Sequence, residues 1–159
     1  MGKEVPMQTL FHVSRVAVKA PEIRIQRYHK DFSWGFYCTQ FENQAVRWAT
    51  RFGTPGIVNI YSFDDTASLN IKRFSELSDE WLDFVVACRS GATHPYDVVE
   101  GPMADDTIFN YVQGFLDGEI SRAAFWELAK FKYPTHQISF HTQKALAALR
   151  FERSYQAHV

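Results

Sequence analysis

Cysteine is scarce in this chain: there are two among 159 residues, Cys38 and Cys88. They stand far apart, without the paired spacing that a zinc site requires, so buried free thiols are expected and no metal is. Charge of one sign is equally wanting. Seventeen Lys and Arg against eighteen Asp and Glu leave a formal net charge of −1, so no global field draws the chain to nucleic acid or an anionic membrane. A local basic patch stays open. The longest uncharged apolar runs fall far short of the roughly 18 residues that a membrane helix needs. The opening Met-Gly-Lys-Glu-Val-Pro has no apolar core of a secretory signal. A cytoplasmic location without membrane association is the expectation. No GxGxxG opens a helix, and P-loop, HExxH and Ser/His/Asp nucleophile contexts are all missing, which argues against a Rossmann domain and the common hydrolase motifs. With no internal repeat, low-complexity tract or linker, one domain over residues 1–159 is expected.

What the chain does have is apolar and aromatic mass. Hydrophobic residues make up 46%, and the aromatics, 14 Phe, 7 Tyr and 4 Trp, make up 16%. Most of these rings must build a core, yet the supply also suits a cleft that stacks on flat heterocycles.

The organising stretch is Asp31-Phe-Ser-Trp-Gly-Phe-Tyr-Cys-Thr39, running into Gln40-Phe-Glu-Asn-Gln-Ala-Val-Arg-Trp-Ala49. Gly35 punctuates a loop, the residues after it suit a strand, and Thr39 with Glu42 three positions on has the spacing of a capping box. Phe41, Ala45, Trp48, Ala49 and Phe52 then recur on one helical face. Strands are predicted over Thr9–Ser14, Ile57–Phe63 and Tyr96–Glu100, with a weak one within Leu69–Phe74. A turn with Pro55 is predicted over Gly53–Gly56. Helices are predicted from Ser78, with Trp81, Leu82, Val85 and Val86 inward and Gly91 closing it, from Asp105-Asp106 to Gly118, and from Ser121 to a stop at Pro134. Gln137–Phe140 reads as the last strand and Thr142 as the cap of a final helix burying Ala145, Leu146 and Leu149, with a frayed tail from Arg153. Strands and helices mix without even alternation, which favours an α+β arrangement.

Four of these stretches carry a resemblance. "DFSWGFYCTQFENQAVRWA" resembles the "FGKGIYFA" segment of poly(ADP-ribose) polymerases, and more closely a bacterial family of unknown function grouped with the ADP-ribosyltransferase superfamily. "LFHVS", Leu10–Ser14, is similar to that superfamily's first NAD-binding strand, and "HQISFHTQKALAALRF", His136–Phe151, to its last conserved strand and following helix. "YDVVEGPMADD", Tyr96–Asp106, also looks like the bacterial family. The resemblance implies an ADP-ribosyltransferase-like α+β fold, two small mainly antiparallel sheets forming an NAD cleft, with the 15–31 segment crossing over it. It implies NAD as a substrate and transfer of ADP-ribose to an unidentified protein or nucleic-acid acceptor, as a bacterial toxin or effector with an antitoxin or immunity partner. NAD hydrolysis is a variant of that activity. A non-catalytic NAD or ADP-ribosyl binding module of the same descent is the alternative.

Three residues carry the implied chemistry. His12 matches the ribose-holding His, Tyr37 the Tyr that stacks on nicotinamide, and Gln137 the place of the catalytic Glu. Val13, Ser14 and Phe36 accompany them as cofactor-binding residues, Val13 standing where the superfamily has Gly. An oxocarbenium-like transition state is stabilised by negative charge near the ribose, which Gln137 cannot supply in full. Alone, His12 reads as a satisfied core histidine and Tyr37 as a core aromatic; the joint match turns both toward a ligand. Gln137 as a tie for loop backbone stays open beside its ribose role. Asp105-Asp106 reads as a helix start and Asp31 as the anchor of its turn. His136 and His141, five apart on a strand, point to opposite faces and would not share a metal.

Overall fold

A computed structural model describes residues 7–24, 30–51, 56–64, 67–104, 106–130 and 135–158. Residues 25–29 of the crossing segment, Phe52, Gly53–Pro55 of the expected turn, Asp105 and Pro134 lie outside the described residues. The rest is α+β: two mostly antiparallel sheets and five helices among the described residues.

The first sheet has the order β1 (Met7–Ser14), β3 (Ile57–Asp64), β7 (Leu149–Gln156), with β3 antiparallel to both neighbours. Because β3 is central it is covered on both faces, and its period of two divides the work. Val58 and Ile60 pack with Phe11 against Ala45 and Ala49 of α1 (Glu42–Thr50). Tyr61 and Phe63 face the other way, into a core shared with Leu10, Phe36, Ile138 and Phe140. Full burial of side chains of this size contributes about 1.5 to 3 kcal/mol each.

The second sheet runs β2 (Phe36–Cys38), β6 (Gln137–Phe140), β5 (Val98–Gly101), β4 (Ile71–Arg73), antiparallel except for the β4–β5 pair. Its far side is closed by α2 (Asp79–Arg89), α3 (Asp106–Leu116) and α4 (Arg122–Ala129), whose Trp81, Val85, Ile108, Val112 and Phe125 form a further core around Phe32. Ser78 and Ser121 cap α2 and α4 by accepting from the amides of Trp81 and Ala124, and Gly91 and Gly118 follow α2 and α3 with positive φ. On α2, Trp81, Leu82 and Val85 are buried as expected, while Cys88 takes the buried place expected for the half-buried Val86.

One bridge joins the two sheets. Phe11 and Thr39 exchange both backbone hydrogen bonds, at 2.8 and 2.9 Å, so the end of β2 is stitched to the middle of β1. That stitch corrects the expected helix start. Thr39 is held in extended pairing and its hydroxyl accepts from the Phe41 amide at 3.1 Å, while Phe41 becomes the N-cap of α1 without a side-chain cap bond. Phe41 is consequently exposed, not part of the buried face, and Gln44 takes that place beside Ala45 and Ala49.

The C-terminal segment needs a second correction. Thr142 does cap a helix, α5, but it ends at Leu146 after four residues (Gln143–Leu146), and Leu149–Gln156 is the edge strand β7, not helix and frayed tail. Gln137–Phe140 is therefore the penultimate strand. Pairing seven of its eight residues with β3 gives the β7 backbone hydrogen-bond partners that a short, largely exposed helix would have to forgo.

Candidate functional site

The seam between the sheets opens into a cavity of about 380 Å³, lined by His12, Val13, Lys30, Asp31, Tyr37, Cys38, Trp48, Arg51, Arg89, Met103, Ala104 and Gln137. His12 arrives there because it shares a strand face with Leu10, toward the second sheet, and the Phe11–Thr39 stitch sets it beside β2. Its Nδ1 lies 2.6 Å from the Tyr37 carbonyl oxygen. A carbonyl can only accept, so Nδ1 carries the hydrogen, and the neutral ring keeps its lone pair on Nε2. Burial pushes the His12 pKa down to about 4, against a partial opposing effect of that bond, so the ring is an uncharged acceptor at neutral pH. Phe36 stacks on it at 4.0 Å.

Tyr37 belongs to β2, but its side chain reaches back over the loop before it. The hydroxyl accepts from the Phe32 amide at 3.1 Å and donates to the Ser33 carbonyl in a short bond. Ser33, at φ 75°, sits in the left-handed region, and this pair of hydrogen bonds holds the strained turn. Burial raises the Tyr37 phenol above its ordinary value, so the hydroxyl is a fixed tie and not an acid–base group. Two imidazoles hold the same loop from outside: His94 Nε2 is 2.9 Å from the Phe32 carbonyl and His141 Nδ1 2.8 Å from that of Trp34. A Cβ on Gly35 would lie 2.8 Å from the His141 ring, so only glycine fits under that tie.

Gln137 opens β6, and its backbone is set by the residue before it. Gln44 of α1 clamps His136 with both ends of its amide, donating to the carbonyl at 2.8 Å and accepting from the amide at 3.2 Å. The His136 ring accepts from the Gln40 amide at 3.1 Å and donates to Glu100 at 2.8 Å. The Gln137 side chain turns the other way, into the cavity wall, where its Nε2 donates to Asp31 at 3.1 Å and stands 3.5 Å from the Pro102 carbonyl.

Asp31 is the hub of that wall. It is 4% exposed, pairs with Arg89 of α2 through one oxygen, and accepts from the Ala104 amide at 3.0 Å and from Gln137 through the other. Arg89 lies in turn over the Phe109 ring at 4.2 Å. Lys30 stands 4.9 Å over the Tyr37 ring, and its burial lowers the ammonium pKa, with Asp31 opposing. Lys30, Arg51 and Arg89 bring cationic side chains to a lining whose one carboxylate is Asp31.

The cavity thus gathers His12, Val13, Tyr37 and Gln137, the expected residues from three separate motifs. Ser14 and Phe36 do not line it. Ser14 is committed to Val16 just beyond its strand and to Asn59 of β3, and Phe36 is core. Lys30, Arg51, Arg89 and Met103 line it as well, with no site role expected of them, and Asp31, expected as the anchor of its turn, lines it too. Both thiols are buried and their pKa values raised, Cys88 to about 12, so neither is poised as a nucleophile. Among the described residues no three His, Cys, Asp or Glu are grouped to hold a metal ion. No helix among them is long and apolar enough to cross a membrane.

A second cleft, about 370 Å³, lies behind the same strand and is lined by Phe41, Arg73, Phe74, Glu100 and His136 among others. Its carboxylate is already paired with both Arg73 and His136, so it offers little unspent charge to a ligand.

The chain belongs to the DUF3990 family, described as a protein of unknown function, whose family model matches residues 8–151. No curated protein and no solved structure matches it.

Proposed function

We propose that the cavity binds NAD and that the chain transfers its ADP-ribosyl group to a macromolecular acceptor, on an ADP-ribosyltransferase-like arrangement of the two sheets. What carries the reading is the convergence of His12, Tyr37 and Gln137, from three distant parts of the sequence, on one cavity. The polarity of the lining supports it. His12 Nε2 is a neutral acceptor, suited to a ribose hydroxyl, the Tyr37 ring lines the same cavity with Lys30 4.9 Å over it, and the cationic side chains of the lining suit a diphosphate. The volume lies within the usual range of small-molecule sites.

In this reaction the bond between nicotinamide and ribose C1 breaks, and its electron pair leaves with nicotinamide, which becomes neutral. Positive charge develops on the ribose, and an acceptor oxygen or nitrogen forms the new bond to C1 and loses its proton. Gln137 would lie beside that ribose and Tyr37 beneath the leaving ring. Water in place of the acceptor gives NAD hydrolysis.

A second reading is favoured by a specific observation: the position where the superfamily has Glu carries an amide whose nitrogen is already engaged by Asp31. Such a site would bind NAD or an ADP-ribosyl group without turning it over. Nicotinamide release from NAD by the purified protein separates the two. Release above the uncatalysed rate supports the transferase or hydrolase; saturable NAD binding without release supports the binding module; and neither binding nor release ends both.

A further inference from the structure

We propose that Asp31 is a positioning residue of this site: it turns the Gln137 side chain so that the amide oxygen, not the nitrogen, faces the cavity. The two ends of a glutamine amide are nearly the same size, so packing alone does not choose between them and the hydrogen-bond partners must. Here both partners within reach, the Asp31 carboxylate at 3.1 Å and the Pro102 carbonyl at 3.5 Å, only accept. A flipped amide would set its oxygen against two other oxygens and lose a charge-assisted bond. Gln137 lines the cavity, and its Oε1 makes no hydrogen bond among the described residues, which leaves that oxygen for a ligand donor.

Asp31 is fitted to this task and to little else at the site. Arg89 fixes one of its oxygens and the Ala104 amide the other, so the carboxylate cannot swing into the cavity to meet a ligand itself. It acts through Gln137. An amide held by its nitrogen on a carboxylate is polarised toward its oxygen. The effect gives Gln137 part of the negative character that a glutamate oxygen would have, at a position whose carboxylate would otherwise sit at hydrogen-bond distance from Asp31. For any effect on turnover the inference rests on the NAD reading; for the amide's orientation it does not.

The test is nuclear magnetic resonance of the Gln137 side-chain amide, run beside nicotinamide release for wild type, Asp31→Asn, Gln137→Glu and the double variant. In wild type one amide proton should lie downfield of the free-amide position and exchange slowly. Both protons at the free-amide position, exchanging fast, would overturn the proposal without recourse to any variant. Asp31→Asn should move the resonances toward the free position and slow nicotinamide release roughly tenfold or more with NAD affinity within about threefold, as for loss of a transition-state contact. Gln137→Glu alone, by placing two carboxylates together, should make release depend on pH with a raised midpoint. The double variant should remove that dependence, since the carboxamide introduced by Asp31→Asn can donate to the carboxylate introduced by Gln137→Glu. Unmoved resonances in Asp31→Asn, or a double variant with the pH profile of Gln137→Glu, would sink the positioning role. If instead the resonances behave as expected and no protein binds NAD, the functional reading fails and the orientation stands.

Discussion

The Gln137 amide nitrogen stands 3.1 Å from a carboxylate oxygen of Asp31, across 106 positions of sequence. This contact makes the Gln137 oxygen the one acceptor of that side chain left for a ligand. If it meets the nicotinamide ribose, Gln137→Ala should lower nicotinamide release by roughly 10²-fold, near 2.7 kcal/mol, while leaving NAD affinity almost unchanged. Single-turnover kinetics with a parallel calorimetric titration checks both halves. An equal loss in affinity would make Gln137 a plain binding residue.

Tyr37→Phe should not be a silent control, because the hydroxyl bonds both Phe32 and Ser33 in the loop that carries Asp31. Leaving those backbone groups unpaired costs roughly 1 to 3 kcal/mol, several degrees in melting temperature for a chain of this size. Tyr37→Ala should lose the ring as well and with it most NAD affinity. A Tyr37→Phe protein that melts like wild type would show that the hydroxyl does not hold the turn.

Arg89→Met keeps an unbranched apolar stem and removes the guanidinium, leaving Asp31 buried without its ion-pair partner. Breaking one half of a buried pair costs roughly 3 to 5 kcal/mol. The urea midpoint should fall accordingly with little change in slope. A shift below about 1 kcal/mol would place the pair among solvent-screened ones.

Burial holds His12 and His141 at about 4, below the ordinary 6.5, so both are neutral when folded and take up a proton more readily when unfolded. Their contribution is fully present above pH 6.5 and is lost as pH falls from 6.5 toward 4, at up to about 1.4 kcal/mol per pH unit for each. His94, also lowered by burial, acts in the same direction. Urea unfolding at about pH 7, 6 and 5 measures it, and His12→Gln should flatten the profile. A stability that stays level across that range would mean that these rings are protonated in the fold.

How far these features were legible in sequence depends on their range. Ile57–Phe63 and the Ser78 and Ser121 helices carry their period and caps locally, and the structure has them where the pattern puts them. The β7 strand hides because Ala145, Leu146 and Leu149 keep helical spacing into it. Opposite the register shift at Ile60/Tyr61, Phe151 pairs with Tyr61 but Arg153 with Ile60, so a continuous alternation never forms. Thr39 and Glu42 have the spacing of a capping box, yet pairing with Phe11, far away in sequence, takes Thr39 first. His12, Tyr37 and Gln137 could be singled out because each sits in a short motif. Arg89 could not, since at the end of α2 it looks like an ordinary complement to the helix dipole. Its partner Asp31 lies 58 residues away, and no local pattern records that distance.

NAD binding in the cavity is tested most directly by an NAD titration followed by amide and side-chain resonances of the wild-type protein. Saturable shifts centred on His12, Tyr37 and Gln137, reaching Lys30 and Arg89, are expected, with His12→Ala weakening the fitted affinity by roughly 1 to 3 kcal/mol. Shifts confined to the Phe41, Arg73 and His136 cleft, or no saturation at millimolar NAD, would contradict it.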